Sequence, residues 1–148
     1  MRAVVQRVSN AQVTVGDDVA GKIGKGVFVL LGVAQNDSEN DSSVLAEKIS
    51  KLRILSDDAD KMNFSALDKN AEVLVVSQFT LLGDTKKGNR PSFVKAAAPK
   101  GARKLYEHFV ESLRSSGLKT QTGKFGEYMK IEAALDGPVT IILDTKAQ

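Results

Sequence analysis

Apolar and polar positions alternate at the front of the chain, then give way to unbroken apolar runs. Met1-Arg2-Ala3-Val4 leads directly into strand-like sequence, and Ala11-Gln12-Val13-Thr14-Val15 alternates as a half-buried strand does. Gly16-Asp17-Asp18 turns the chain into a second strand, Val19 to Ile23. Gly24-Lys25-Gly26 turns it again into Val27-Phe28-Val29-Leu30-Leu31-Gly32-Val33, too apolar for an edge and therefore a central strand. A polar loop, Asn36 to Ser42, ends in residues suited to capping a helix, after which Leu45, Ile49 and Leu52 recur at helical spacing. A loop around Asp57 to Lys61 precedes Glu72 to Leu81, which contains a second buried strand at Val73-Leu74-Val75-Val76.

Pro99 opens the clearest helix. Ala102, Leu105, Phe109 and Leu113 line one face, and Gly117 stands where a helix-terminating glycine belongs. The pattern closes with a pair of strands, Tyr128 to Ala134 and Val139 to Asp144, joined at Leu135-Asp136-Gly137-Pro138. Strand runs at the front with helices inserted later predict an α+β fold rich in antiparallel sheet, with two main helices, rather than a series of βαβ repeats.

Composition narrows the chemistry. At 148 residues, the chain is read as a single domain over 1–148, without linker, repeat or low-complexity tract. Cysteine is absent, which removes disulfides, thiolate nucleophiles and Cys-based zinc sites; one histidine, His108, removes any site that needs two imidazoles. No metal or cofactor is expected. The longest apolar run, Val27 to Val33, is too short to span a bilayer, and no secretory pattern opens the chain, so the expected address is the cytoplasm. A net charge of +3 permits contact with phosphates without demanding it.

Generic motifs give little. Gly21-Lys22-Ile23-Gly24-Lys25-Gly26 has neither dinucleotide-binding spacing nor a P-loop ending, and Gly117 and Gly123 are one residue too far apart. His108 can in principle serve Ser77 or Thr80 as a base, but it precedes the core-facing Phe109 at a surface-leaning position and reads as solvated. Asp57-Asp58 reads as turn and solvation sequence.

Three stretches carry the reading further: Ser77-Gln78-Phe79-Thr80-Leu81, Gly137-Pro138-Val139-Thr140, and Met1-Arg2-Ala3-Val4-Val5-Gln6-Arg7-Val8. Leu30-Leu31-Gly32-Val33, Lys61-Met62-Asn63, Arg90-Pro91-Ser92-Phe93 and Thr122-Gly123-Lys124-Phe125 support them, in order, from residue 1 to about 144. Together they resemble the D-aminoacyl-tRNA deacylase (D-tyrosyl-tRNA deacylase) family. Two positions depart from its pattern: Leu135 stands where the family usually has Asn, and Asp60 where a glycine often precedes Lys-Met-Asn.

The resemblance implies a barrel-like homodimer with active sites at the subunit interface, hydrolysing D-aminoacyl-tRNA and glycyl-tRNA and rejecting L-aminoacyl-tRNA. It assigns catalysis to Ser77, Gln78, Phe79 and Thr80, whose backbone N–H groups and hydroxyls are suited to stabilising an ester oxyanion; the ribose 2′-hydroxyl of the terminal adenosine assists. Thr80 is read as a positioning group, because an unactivated threonine is a weak nucleophile. Gly137 and Pro138 match the family's Gly-cisPro motif, inserted into the partner subunit's site to exclude L side chains with main-chain carbonyls, and Arg7 is suited to holding that loop. Ala97 and Met129 match adenosine-pocket positions, and Lys86, Lys87 and Arg90 are placed to meet tRNA phosphates.

Without the resemblance each feature has a plainer reading. Ser77 to Leu81 is then a strand leaving the core, Asp-Gly-Pro an ordinary turn, Asp84 to Arg90 a solvated loop, and Ala97 and Met129 core packing. The alternative function is a non-catalytic nucleic-acid-binding module on the same fold, against which stands an aromatic content of only 5%.

Overall fold

The computed structural model describes residues 1–146. Strand β1 runs over Arg2–Val15, turns through Gly16 into β2 (Asp18–Ile23), and is followed by β3 (Gly26–Gly32). Helix α1 (Glu39–Ser50), a small hairpin of β4 (Leu55–Ser56) and β5 (Met62–Phe64), and β6 (Glu72–Ser77) come next. A 3-10 turn at Phe79–Leu82, helix α2 (Pro99–Ser115), β7 (Thr120–Thr122) and β8 (Lys130–Asp144) complete the chain.

The main sheet has the order β2-β1-β3-β6-β7, with β8 on β1 as well. Pairings of β1 with β2, β3 and β8 are antiparallel; β3–β6 and β6–β7 are parallel, and their connections contain α1 and α2 respectively. The sheet curls until β2 meets β7: a Cβ on Gly21 would lie 2.5 Å from the Thr122 carbonyl oxygen, so only glycine permits that closure. The fold is therefore an α+β, barrel-like mixed sheet with two helices.

Burial on both faces explains the unbroken apolar runs. Val27, Val29 and Leu31 of β3, with Val73 and Val75 of β6, pack in the core beneath α1 and α2 with Phe109 and Leu113. Phe28, Leu74 and Val76 point the other way, into a second cluster inside the curl with Val8, Ala11, Val13 and Ile23. The central-strand reading of 27–33 holds for this reason.

Helix ends obey local chemistry. Ser38 caps α1: the Asp41 carboxylate accepts from the Ser38 N–H at 2.9 Å while Ser38 Oγ accepts from the Asp41 N–H at 3.4 Å. The cap thus lies before Asp41 and Ser42, which already belong to the first turn, and Leu52 falls beyond the helix. At the end of α2, Gly117 (φ +97°) follows the cap; its N–H reaches Arg114 O and that of Leu118 reaches Leu113 O, a Schellman closure.

Strand β6 contains the buried run Val73 to Val76 and stops at Ser77, where the chain winds into the 3-10 turn. One expectation needs correction. Residues 128–144 do not form two strands paired with each other. They are one strand, β8, both halves running in line against β1. Val8 pairs with Leu135 and Gln6 with Thr140, so residues 136–139 bulge out opposite Arg7 alone. Tyr128 lies before the strand.

Candidate active site

Strands β3, β6 and β7 run parallel, so their carboxyl ends emerge on one side of the sheet. A cleft of about 600 Å³ opens there. Leu31 and Val33 line it at the end of β3 and just beyond, Val76 and Ser77 from β6, Gln78 and Phe79 from the turn that follows, and Phe125 to Met129 from the chain beyond β7. Ala97, Pro99, Ala102 and Tyr106 close it from the start of α2. Parallel strands commonly place ligands beyond their carboxyl ends, where the chain leaves the sheet and its main-chain groups come free.

Ser77, Gln78, Phe79, Ala97 and Met129, all named from the sequence, therefore meet in one cleft. Thr80 stands just outside its lining, exposed, with its hydroxyl accepting from the Gln78 side-chain amide. The four residues are not equivalent as donors. The Gln78 N–H is committed to Leu31 O at 2.8 Å, whereas among the described residues no backbone carbonyl accepts from the N–H of Phe79 or Thr80. Those two groups open the 3-10 turn, where helical backbone leaves N–H groups without internal partners.

Little else in the cleft titrates. Tyr106 donates its hydroxyl to Val75 O at 2.9 Å, and burial pushes that hydroxyl well above its ordinary value, so it stays neutral. Glu127 is the sole carboxylate lining the cleft among the described residues. His108 is absent from the lining. It is half-buried between the helices with Nδ1 3.2 Å from Ser42 Oγ, so the solvated position expected for it gives way to a packing role.

Gly137 and Pro138 do not line the cleft of their own chain. They sit exposed at the tip of the β8 bulge, joined by a cis peptide bond. Arg7 holds the bulge from behind, donating from Nε to Asp136 O at 2.9 Å and from Nη1 to Ile54 O and Ser56 Oγ, both at 3.0 Å. The Asp136 carboxylate lies 3.3 Å from Nε. Gly137 has φ +133°, and a Cβ there would stand 2.9 Å from Val139 N and 3.1 Å from Arg7 Nη2. No other residue fits this position without displacing its neighbours.

The basic residues separate too. Lys86 borders a different hollow, of about 410 Å³, with Arg2, Lys95 and Lys146, while Lys87 and Arg90 are exposed on the loop beyond it. That loop leaves from the 3-10 turn, is pinched by reciprocal Asp84–Ser92 backbone bonds, and returns at Phe93. The Phe93 ring packs edge-on against Phe79, centroids 5.1 Å apart, at the cleft. Phe93, Tyr106, Phe125 and Tyr128 went unmarked as site residues in the sequence. For Tyr106 a signal existed, since 102, 106, 109 and 113 share a helix face as well as 105 does.

A family model described as "D-Tyr-tRNA(Tyr) deacylase" matches residues 4–144. A protein of Thermosipho melanesiensis named D-aminoacyl-tRNA deacylase is 53% identical over 147 residues, covering 99% of this chain and 98% of that one. Among solved structures, one titled "c-Myc DNA Unwinding Element Binding Protein" superposes with a TM-score of 0.92 at 42% identity, covering 99% of this chain and 100% of the other. Another, titled as a probable eukaryotic D-amino acid tRNA deacylase, reaches a TM-score of 0.86 at 16% identity over 96% of this chain and 97% of the other, a likeness of fold. With sequence similarity spanning almost its whole length, the chain belongs to the D-Tyr-tRNA(Tyr) deacylase family.

Proposed function

We propose that this protein is a cytoplasmic hydrolase that cleaves the ester between a D-amino acid and the terminal ribose of tRNA, releasing D-amino acid and tRNA. The observation that carries the reading is the cleft at the Ser77–Thr80 corner, in a chain whose family similarity runs from residue 4 to 144. Water adds to the ester carbonyl, the carbonyl oxygen gains negative charge, and the C–O bond to the ribose breaks as that oxygen takes a proton. The Phe79 and Thr80 N–H groups, without backbone carbonyl partners among the described residues, are suited to the developing oxyanion, and one such donor is worth about 100–1000-fold in rate. The ribose 2′-hydroxyl of the substrate assists the water. Ala97 and Met129 lie on the adenosine side of the cleft, and Lys86, Lys87 and Arg90 meet the acceptor-end phosphates.

Selection against L substrates is assigned to Gly137 and Pro138 of a second copy. The bulge does not line its own cleft, and β8 pairs on one side with β1 while Leu135 (49% exposed) and Ile142 (68% exposed) face solvent. An edge of this kind suits pairing across a two-fold homodimer. Main-chain atoms of the bulge then occupy the space an L side chain would need; glycyl-tRNA, with no side chain, is accepted.

The test is hydrolysis of matched D-, L- and glycyl-tRNA by the purified protein, with its mass in solution measured alongside. Turnover of D- and glycyl-tRNA by a dimer is expected. The second reading, a non-catalytic nucleic-acid-binding module, is favoured by the name of the 42%-identical solved relative. Tight nucleic-acid binding with no turnover of any D-aminoacyl-tRNA would establish it instead.

A further inference from the structure

A row of three residues crosses the sheet beneath the 3-10 turn. In the strand registers Arg2 of β1 stands opposite Asp144 of β8 on one side and Gly32 of β3 on the other. Gly32 forms the floor: a Cβ there would lie 3.0 Å from Gln78 O, 3.1 Å from Leu82 Cδ2 and 3.3 Å from Leu81 Cβ, so the turn rests directly on the glycine backbone. Arg2 forms the clasp. Its Nε donates to Asp144 Oδ2 at 2.9 Å and Nη2 lies 2.8 Å from the same carboxylate, while Nη1 donates to Leu81 O at 2.9 Å. The Asp144 carboxylate sets the plane of the guanidinium, and the remaining arm reaches the last carbonyls of the turn, which helical backbone otherwise leaves without partners. The opposite end is fixed by the Gln78 N–H on Leu31 O.

We propose that Arg2, oriented by Asp144, is a positioning residue: it fixes the rotation of the Phe79–Leu82 turn and so the direction of the Phe79 and Thr80 N–H groups at the cleft. Arg2 touches no reacting atom. The inference rests on the reading of those N–H groups as oxyanion donors, where a displacement of about 1 Å costs roughly 100-fold.

The experiment compares Arg2→Ala, Arg2→Lys and Asp144→Asn with wild type in kcat and KM for D-aminoacyl-tRNA, melting temperature, and amide exchange at Leu81 and Gly83. In Arg2→Ala kcat should fall roughly 10–100-fold, KM should change less than about threefold, and exchange at both amides should quicken while β3 stays protected. Arg2→Lys keeps the charge without the planar fork and should recover part of kcat; Asp144→Asn should fall between. A lowered melting temperature with wild-type kcat in the folded variants would mean that the clasp is merely structural and overturn the proposal. So would unchanged exchange at Leu81 and Gly83. If Arg2→Ala fails to fold, the other two variants decide by the same readouts. Should wild type hydrolyse no D-aminoacyl-tRNA, the functional reading falls, while amide exchange still judges the clasp.

Discussion

Truncating Arg7 to alanine removes the β1 side chain that is hydrogen-bonded to the 136–139 bulge, and the cost can be worked from its contacts. The side chain is 11% exposed and donates to two main-chain carbonyls, Asp136 O and Ile54 O, and to Ser56 Oγ. A hydrogen bond from a charged donor contributes about 1.5–3 kcal/mol, and a buried acceptor left alone costs about 1–3 kcal/mol. Ile54 is buried, so its carbonyl is the group least able to recover water. Half-buried Asp136 and Ser56 rehydrate once the guanidinium is gone, which offsets part of their loss. The net destabilisation should be about 2–4 kcal/mol, or roughly 6–12 °C in melting temperature for a chain of this size.

The functional consequence separates the bulge from the cleft. On the dimer proposed above, loss of the tether should let the Gly137–Pro138 tip move against the second copy's site, lowering D-aminoacyl-tRNA turnover and raising turnover of the L form. Arg7→Lys should sit between, because one ammonium cannot reach acceptors on two elements in a fixed fork. Thermal melts and deacylation of matched D- and L-aminoacyl-tRNA check both halves. A melt within about 2 °C of wild type, together with an unchanged D-over-L ratio, would refute the argument that Arg7 holds the bulge.

Much of this arrangement could be read from residue order, and the exceptions have physical causes. Val27 to Val33 and Val73 to Val76 declared themselves as central strands because both faces of the sheet are buried. Pro99 and Gly117 mark α2 because both ends use local chemistry that tolerates few substitutes. Strand β7 is three residues long, too short for any periodicity to register. Asp-Gly-Pro reads alike as a hairpin turn or a bulge; the choice is made 129 residues away, where Arg7 captures Asp136 O. The apolar run of β6 breaks at Ser77-Gln78, but the apolar residues resume at Phe79, Leu81 and Leu82, and composition does not show that the chain there winds into a 3-10 turn. Ser77, Gln78 and Phe79, singled out from the sequence, line the cleft, while Phe93 and Phe125, which line it too, look in sequence like ordinary core aromatics. Asp60 shows the reverse case. It stands where a glycine is often found in the resembling family and adopts φ +57°, the left-handed conformation that favours glycine.

His108→Ala should keep D-aminoacyl-tRNA turnover within about threefold, because the ring contacts Ser42 Oγ and is not among the residues that line the cleft. A thousandfold loss in a variant that still melts normally would restore His108 as a base. Replacing Lys86, Lys87 and Arg90 with alanine should weaken tRNA binding and flatten its salt dependence by about two to three units of log–log slope. An unchanged slope would leave those side chains to solvent. Acid stability turns on Asp41. The Ser38 hydroxyl is the main cause holding its carboxyl well below the ordinary range; burial opposes this, and the Ser38 N–H and Lys146 add to the lowering. A carboxyl whose folded pKa is depressed stabilises the fold above its unfolded value near 3.9 and loses that contribution as the pH falls toward the folded value. Asp41→Asn should therefore melt lower than wild type at neutral pH, with the two curves converging below about pH 4. Melts taken between about pH 2 and 7 would show it, and a constant gap across that range would mean that Asp41 acts on α1 through packing, with no charge at stake.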